Sequence, residues 1–237
     1  MAVSESRDSE RRYISTYIPT GSQIEVRSAV DGRPSRTIGG YAAVFNRYSE
    51  DLGGFREKID PAFFTKSRAD GYPGVVCRFN HQDNFLLGTI HSGTLRLQVD
   101  DEGLFYEVDL PECRNDVLEM TQRRDLAHSS FAFQCYDDEW SAGDGGYPMR
   151  MLLRGRLIDV APVTVPAYPD ATVGLRSLAK FVDAPYEDVA AKAAENELRA
   201  FFIRTDKTAA PKKEPKSGPA ALMEILAKRP DDPIGSI

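Results

Sequence analysis

The chain has 237 residues, and its 30 Lys and Arg against 36 Asp and Glu give a formal net charge of −6 at pH 7. Because phosphate binding draws on concentrated basic side chains, this balance argues against a dedicated nucleic-acid binder. The hydrophobic content is ordinary for a globular protein, and no apolar run approaches the ~20 residues that a membrane-spanning helix requires. We therefore expect a soluble protein with a protein or peptide partner, and neither nucleic acid nor a membrane as partner.

Cysteine usage and the first residues of the chain indicate the compartment. Cys77, Cys113 and Cys135 are an odd number without a CxxC pair, so the sequence suggests neither a disulfide framework nor a structural zinc site. The polar N-terminal stretch MAVSESRDSERRY lacks the apolar segment of a secretory signal. We expect reduced thiols in a cytosol-like compartment, and no metal or cofactor.

Composition divides the chain into four segments. Residues 1–22 are rich in Ser, Arg and Glu without apolar periodicity, which predicts a flexible N-terminal arm. Residues 23–182 carry nearly all the strand signals and form the predicted domain. Residues 183–205 are rich in helix formers and predict a C-terminal helix. Residues 206–237 combine a Pro- and Lys-rich linker with a short amphipathic tail helix, which is either a docking element or an inert tail.

The central segment predicts a mainly β domain with helices, of the α+β class. Seven segments have alternating or β-rich patterns, at 23–28, 38–46, 74–80, 94–99, 103–110, 129–136 and 149–163. Two helices are expected, one after Asp60 and Pro61 and one over residues 115–125. We therefore expect a small antiparallel β-barrel of about seven strands, surrounded by a few helices.

His81 is the leading candidate for a general base, because the chain contains only two other histidines, His91 and His128. Alternation along residues 75–81 puts His81 on an apolar strand face, at the edge where the chain leaves the sheet. An imidazole at such a place is both held and accessible. The alternative is a histidine that only makes a hydrogen bond at the end of a strand.

Ser130 is the candidate nucleophile. In the segment AHSSFAFQC, alternation sets Ser129 on the same face as Phe131, which indicates the core. Ser130 then lies on the opposite face beside the small Ala132, which leaves space for a substrate. Without a base beside it, a serine in this pattern is usually a solvent-exposed residue with no catalytic role.

Asp159, in the segment RLIDVAPV, is the candidate for the acid that orients the base and stabilises the imidazolium. Alternation puts it on an apolar strand face with Leu157, where a partly buried carboxylate needs a hydrogen-bond partner. A salt bridge to Arg154 or Arg156 is the alternative explanation for this residue.

Other arrangements of these side chains are weaker candidates. His81, Asp83 and His91 lack the spacing of a metal site. Cys77 lies near His81 along the strand, so a cysteine nucleophile is geometrically allowed. Its apolar neighbours indicate a core thiol instead.

Several segments, in this order, resemble the prohead (capsid maturation) proteases of tailed bacteriophages. They are GYAAVFN (40–46), GGFREKIDPAFF (53–64), VVCRFNHQDNFLLGTIHSGTLRLQVDDEGLFYEVDLP (75–111), SFAF (130–133) and LIDVAPVTVPAYPDA (157–171). Each segment alone is unspecific, whereas their order and spacing together are specific. The resemblance implies a fold like that of the herpesvirus assembly proteases, a small β-barrel with surrounding helices.

The resemblance also implies the roles of particular residues. The family's His in its Asn-His segment corresponds to His81, and its Ser before Phe corresponds to Ser130. Ala132 stands where the family usually has Gly. Asp159 opens a segment that is often Glu-Val-Ser in the family, and it is the predicted third member of the site. His128 and Asp83 are the alternatives for this third role.

By the resemblance, the protein is a serine endopeptidase that cleaves the major capsid or scaffolding protein, and often itself, during head assembly. It would act inside the immature shell, the prohead, in the host cytoplasm, and self-association is an open alternative. A rival interpretation is a catalytically inactive scaffold or capsid-interaction module on the same fold. An unrelated β-barrel binding domain is a third.

Overall fold

The computed structural model describes residues 10–13, 24–27, 35–164 and 172–202. The strands are β1 (Glu10–Tyr13), β2 (Glu25–Val26), β3 (Thr37–Val44), β4 (Arg56–Ile59), β5 (Val76–Arg78), β6 (Leu86–Thr89), β7 (Leu95–Val99), β8 (Gly103–Asp109), β9 (His128–Ala142) and β10 (Pro148–Val163). The α-helices are α1 (Thr65–Ala69), α2 (Asn115–Gln122), α3 (Thr172–Phe181) and α4 (Tyr186–Ala194). Short 3-10 segments lie at Phe79–His81, Glu112–Arg114, Asp144–Gly146 and Leu198–Phe201.

The larger sheet has six strands and is built on the long antiparallel pair of β9 and β10. On the outer edge of β9, β1 pairs antiparallel. The other edge of β10 is shared by two strands that run parallel to it. β4 pairs with the segment from Met149 to Leu152, and β5 pairs with Asp159 and Val160. β6 continues the sheet beyond β5.

The smaller sheet is antiparallel, in the order β2-β3-β8-β7. β7 and β8 form a hairpin whose turn lies at residues 100–103. The Asp100 carboxylate accepts hydrogen bonds from the backbone N–H groups of Glu102 and Gly103, each at 2.9 Å. Gly103 is required at this position, because a Cβ there would lie 2.0 Å from the carbonyl oxygen of Ala43 on β3.

Both sheets contribute to one hydrophobic core. On β9, the rings of Phe131 and Phe133 stack with centroids 5.1 Å apart. Phe64 and Phe63 pack edge-on against them, at 5.7 and 5.3 Å respectively. The aromatic face that alternation assigned to the core is therefore the core face of β9. A second apolar cluster packs Trp140 of β9 against residues of α3 and α4.

The expectation of a closed antiparallel barrel of about seven strands is wrong for the described residues. They form a mixed α+β fold of ten strands in two sheets, which makes a curled half-barrel and includes two parallel pairings. Three of the ten strands, β1, β4 and β6, have no counterpart among the predicted segments. Each has only four residues. The sequences ERRY and REKI are mostly charged, whereas a half-buried strand normally alternates apolar and polar residues.

The predicted helices are found in part. Asp60 accepts a hydrogen bond from the backbone N–H of Ala62 at 2.7 Å, but the α-helix begins only at Thr65. α2 begins where predicted and ends at Gln122. The predicted C-terminal helix divides into α4 and the following 3-10 segment, and α3 was not predicted. Strand β1 lies within the arm predicted to be flexible, and the linker and tail helix of 206–237 lie outside the described residues.

None of the helices in the described part of the chain is long and apolar enough to cross a membrane.

A buried ion cluster, here called the Arg150 cluster, ties three strands together. The guanidinium of Arg150, which is 1% exposed, donates to the carboxylates of Glu10 on β1, Glu57 on β4 and Asp138 on β9. The N–O distances are 2.7, 3.2 and 2.6 Å. Asp138 also accepts from the Ser177 hydroxyl on α3. Buried charges are tolerated only when they are paired and hydrogen-bonded, and this cluster meets that requirement.

We expect Arg150→Met to lower the free energy of unfolding by about 3–5 kcal/mol, because it leaves the carboxylates of Glu10 and Glu57 buried without their cation. Arg154→Met on the same strand is the matched control, since Arg154 is 73% exposed and pairs with Asp137 at the surface. Its loss should cost about 0–1 kcal/mol. Urea unfolding of both variants measures the difference, and equal effects would show that the Arg150 cluster is not structural.

Candidate active site

His81 lies in a turn that follows directly on β5. The strand ends at Arg78, earlier than predicted, and a 3-10 segment carries the chain through Asn80 to His81. Both Asn80 and His81 have left-handed backbones, with φ of 53° and 55°. Such conformations are uncommon outside glycine and cluster at functional sites. The Asn80 side chain accepts a hydrogen bond from the backbone N–H of Thr164 at 3.0 Å, which ties the turn to the end of β10.

Ser130 and Ser129 face opposite sides of β9. The Ser129 hydroxyl lies 3.2 Å from the Tyr106 hydroxyl, which belongs to the core between the sheets. Ser130 points away from this core, as alternation predicts. The face of Ser130 is nevertheless not open: Ser130 and Ala132 are each 3% exposed, so the expected space beside the hydroxyl is covered.

Asp159 reaches the face of Ser130 because β10 contains a bulge. The register pairs Leu157 with Phe133 but Asp159 with Ala132, so Ile158 is an additional residue in β10. Directly opposed residues of an antiparallel pair share a face. Leu157 therefore faces the aromatic core and Asp159 faces the other side. The expectation that Leu157 and Asp159 share a face is wrong, because simple alternation does not anticipate a bulge.

The three side chains form one hydrogen-bonded array, here called the Asp159–His81–Ser130 array. His81 Nδ1 lies 2.6 Å from Asp159 Oδ1, and His81 Nε2 lies 2.6 Å from Ser130 Oγ. An ionised carboxylate can only accept, so Nδ1 donates to Asp159. In the neutral ring, Nε2 then accepts a hydrogen bond from the Ser130 hydroxyl. All three side chains are buried, and the arrangement can activate a hydroxyl for nucleophilic attack.

The surroundings keep Asp159 ionised. Burial by itself raises the pKa of Asp159, but the hydrogen bonds and electrostatic interactions with His81 and Arg78 outweigh burial and hold the pKa below its usual value. Arg78 Nη1 donates to Asp159 Oδ2 at 2.8 Å. The carboxylate is therefore charged at neutral pH and able to fix the imidazole tautomer.

A family model described as the caudovirus prohead serine protease matches residues 22–183, a span that includes all three side chains of the array. The chain belongs to this family. No curated protein and no solved structure matches the chain significantly. The predicted resemblance is thus confirmed. Membership implies serine peptidase activity in capsid maturation, on capsid-protein substrates, inside the phage procapsid.

Arg78 is the residue of this site that sequence reasoning missed. The sequence predicted His81 as the partner of Asp159, with a salt bridge to Arg154 or Arg156 as the alternative, whereas the arginine that contacts Asp159 lies 81 positions away in sequence. Arg154 pairs instead with Asp137. A signal was available in the segment VCRFNH, where Arg78 ends the strand that carries the turn of His81. The parallel pairing of β5 with β10, which brings the two together, had not been predicted.

The alternatives for the third role lie elsewhere. Asp83 is 92% exposed, with its carboxylate 3.4 Å from Arg78 Nη2. His128 pairs with Val163 at the start of β9, and its buried Nδ1 has no hydrogen-bond partner among the residues that the structure describes. Both ring nitrogens of His81 are taken by Asp159 and Ser130. His128 and Asp83 therefore do not share the hydrogen bonds of this array.

The thiol of Cys77 has the surroundings of a core residue. Cys77 is fully buried, and its burial and the nearby Asp159 charge raise the pKa of the thiol well above its usual value. A thiol must be ionised to act as a nucleophile, so Cys77 stays unreactive. Among the described residues, no group of three or more His, Cys, Asp and Glu side chains could hold a metal ion.

We expect Asp159→Asn to lower the free energy of unfolding by about 1.5–3 kcal/mol, the usual contribution of hydrogen bonds to a charged group. The pKa of Asp159 is lowered in the folded state, so its contribution is complete above the unfolded-state pKa of about 3.9 and is lost as the pH falls through the folded-state pKa. The stability difference between wild type and variant at about pH 5 should therefore shrink on further acidification. Urea unfolding over this range measures it, and a difference that grows would contradict an ionised Asp159.

Proposed function

We propose that this chain is a prohead maturation serine endopeptidase, with Ser130 as the nucleophile, His81 as the general base and Asp159 as the acid that orients His81. The observation that supports the proposal is the continuous hydrogen bonding from Asp159 through His81 to Ser130, with both distances at 2.6 Å. Family membership supports the reaction class.

The proposed mechanism follows from the two hydrogen bonds of the His81 ring. Ser130 Oγ attacks the scissile carbonyl carbon while His81 Nε2 takes the hydroxyl proton, since an uncharged hydroxyl is a poor nucleophile. The imidazolium that forms is stabilised by the Asp159 carboxylate. It then returns the proton to the leaving amine, and the acyl-enzyme remains. Water, deprotonated by His81, hydrolyses the ester and restores the Ser130 hydroxyl.

Arg78 acts in this scheme as a positioning residue. It occupies the second oxygen of the Asp159 carboxylate, so the first oxygen stays directed at His81 Nδ1. It also keeps the pKa of Asp159 low, as described above. A fixed, ionised acid holds the imidazole in the tautomer that can accept the Ser130 proton.

The substrates in this proposal are the major capsid protein or the scaffolding protein, and the protease itself, cleaved within the immature shell. Membership in a prohead protease family supports capsid proteins as the class of substrate. The proposal also includes self-association in the shell and a fold related to the herpesvirus assembly proteases.

The rival interpretation, an inactive scaffold or capsid-interaction module, accounts less well for the site. A buried carboxylate costs free energy unless it is paired, and a structural role is met when a cation alone pairs with it, as in the Arg150 cluster. Here the pairing is directed, through an imidazole, at a hydroxyl on another strand. Such an arrangement activates a hydroxyl for acyl transfer.

Ser130 and Ser129 provide the test. We expect Ser130→Ala to be folded and inactive toward a co-expressed capsid protein, because it removes the atom that forms the acyl-enzyme. Ser129→Ala is the matched control. It loses one buried hydrogen bond to Tyr106, which should cost about 1 kcal/mol, and it should retain activity. Mass spectrometry of the cleavage products, together with thermal melts of both variants, gives the result.

Processing by Ser130→Ala would reject Ser130 as the nucleophile. Loss of activity in Ser129→Ala with an unchanged melt would place the site on the other face of β9. His81→Ala should behave like Ser130→Ala. If neither His81→Ala nor Ser130→Ala alters a processing reaction that the wild type performs, the assignment of the whole array is wrong.

A further inference from the structure

The N-terminal strand lies against the segment of β9 that carries the proposed nucleophile. β1 pairs antiparallel with β9, and its register sets Tyr13 opposite Ser130 and Glu10 opposite Phe133. β10 occupies the other edge of β9. Residues 10–13 therefore take the edge of β9 at which the backbone at Ser130 would otherwise be free to pair with another chain.

In the structure that has β1 at this edge, the proposed active site is closed to solvent. Ser130 is 3% exposed and His81 is buried, although a peptidase must bring a scissile carbonyl to Ser130 Oγ. Peptides commonly bind by adding a strand to an exposed sheet edge, where main-chain hydrogen bonds give affinity and side-chain pockets give specificity. An extended peptide that pairs with β9 beside Ser130 needs the edge that β1 holds.

A buried ion pair helps to anchor β1 beside its pairing with β9. Glu10 is buried, and its two carboxylate oxygens accept from Arg150 Nη1 and Nη2 at 2.7 and 3.1 Å. Such a two-point contact between Arg and a carboxylate is both strong and directional. Arg150 also keeps the carboxylates of Glu57 and Asp138, so its charge stays compensated when Glu10 leaves. The anchor can open without leaving an unpaired cation.

We propose that the edge of β9 from Ser130 to Phe133 is the binding edge for an extended substrate peptide, and that β1 is an intramolecular strand that occupies this edge until substrate displaces it. The proposal rests on the proposed function. Arg150 is then a specificity residue. It offers its guanidinium to an acidic side chain of the incoming peptide, three positions before the residue opposite Ser130, as it does to Glu10 in this structure.

The first test is the rate at which a fluorophosphonate probe labels Ser130 in the full chain. If β1 closes the site for about nine-tenths of the time, Glu10→Ala should raise the rate about tenfold. Glu10→Gln, which keeps the size but not the charge, should give an intermediate rate. Glu57→Ala is the matched control, because it removes another carboxylate from Arg150 without touching β1. It should label at the wild-type rate.

Equal rates for wild type and Glu10→Ala would overturn the proposal. So would an equal increase in Glu57→Ala, since the effect would then reflect a loosened Arg150 cluster. Ser130→Ala must not be labelled. Thermal melts of each variant separate release of β1 from loss of the fold.

A second test uses a synthetic peptide of residues 8–15, DSERRYIS, added to the Glu10→Ala protein. The peptide should slow the labelling and restore amide-exchange protection at residues 130–133. The same peptide with Lys in place of Glu should do so more weakly, because it meets Arg150 with a like charge. Absence of protection would overturn the proposal.

The two tests also separate this inference from the proposed function. Exchange protection does not require catalysis. If the peptide protects residues 130–133 but no variant is labelled at Ser130 or processes capsid protein, the strand-binding edge stands and the peptidase assignment fails. If Ser130 is labelled at the same rate in the wild type and in the Glu10 and Glu57 variants and the peptide gives no protection, the peptidase assignment stands and the role of β1 fails.

Discussion

The antiparallel pairing of β9 with β10 sets the positions of both Ser130, the proposed nucleophile, and Asp159, the proposed acid. Ser130 lies opposite Ala161, and Asp159 lies opposite Ala132, so both functional side chains project from one face of the same ladder. The pairing of β5 with Asp159 and Val160 then fixes the third member, because the turn that follows β5 carries His81. Residues that are 49 and 78 positions apart in sequence thereby come within hydrogen-bond distance.

Two buried ionic groups lie at different points of this ladder, and both join elements that are distant in sequence. The Arg150 cluster holds β1, β4 and β9 around one guanidinium. The Asp159–His81–Ser130 array, with Arg78, holds β5, β9 and β10 around one carboxylate. Each ion pays a desolvation cost that only well-directed partners offset. A two-residue slip in register would keep each side chain on its own face, so burial of one face does not exclude it, whereas these directed contacts do.

Sequence pattern predicted the parts of this site that depend on local periodicity. Alternation assigned Phe131 to the core and Ser130 to the opposite face, and both assignments agree with the contacts. It failed at Ile158, because a bulge adds a residue without leaving a hydrophobic signature. It failed again at β1, because the polar sequence of β1 carries no strand signal and its contact with Arg150 is distant in sequence. Strand patterns also carry no information on whether a sheet closes, so the barrel was not foreseeable from them.

The position of β1 connects the fold to when the protein would act. A strand in the same chain competes for the edge of β9 at a local concentration that is on the order of millimolar for a short tether. A dilute peptide rarely displaces such an occupant, because its own concentration is far lower. In the proposed role of β1, the ion pair between Glu10 and Arg150 therefore sets the concentration that a substrate strand must reach before it displaces β1.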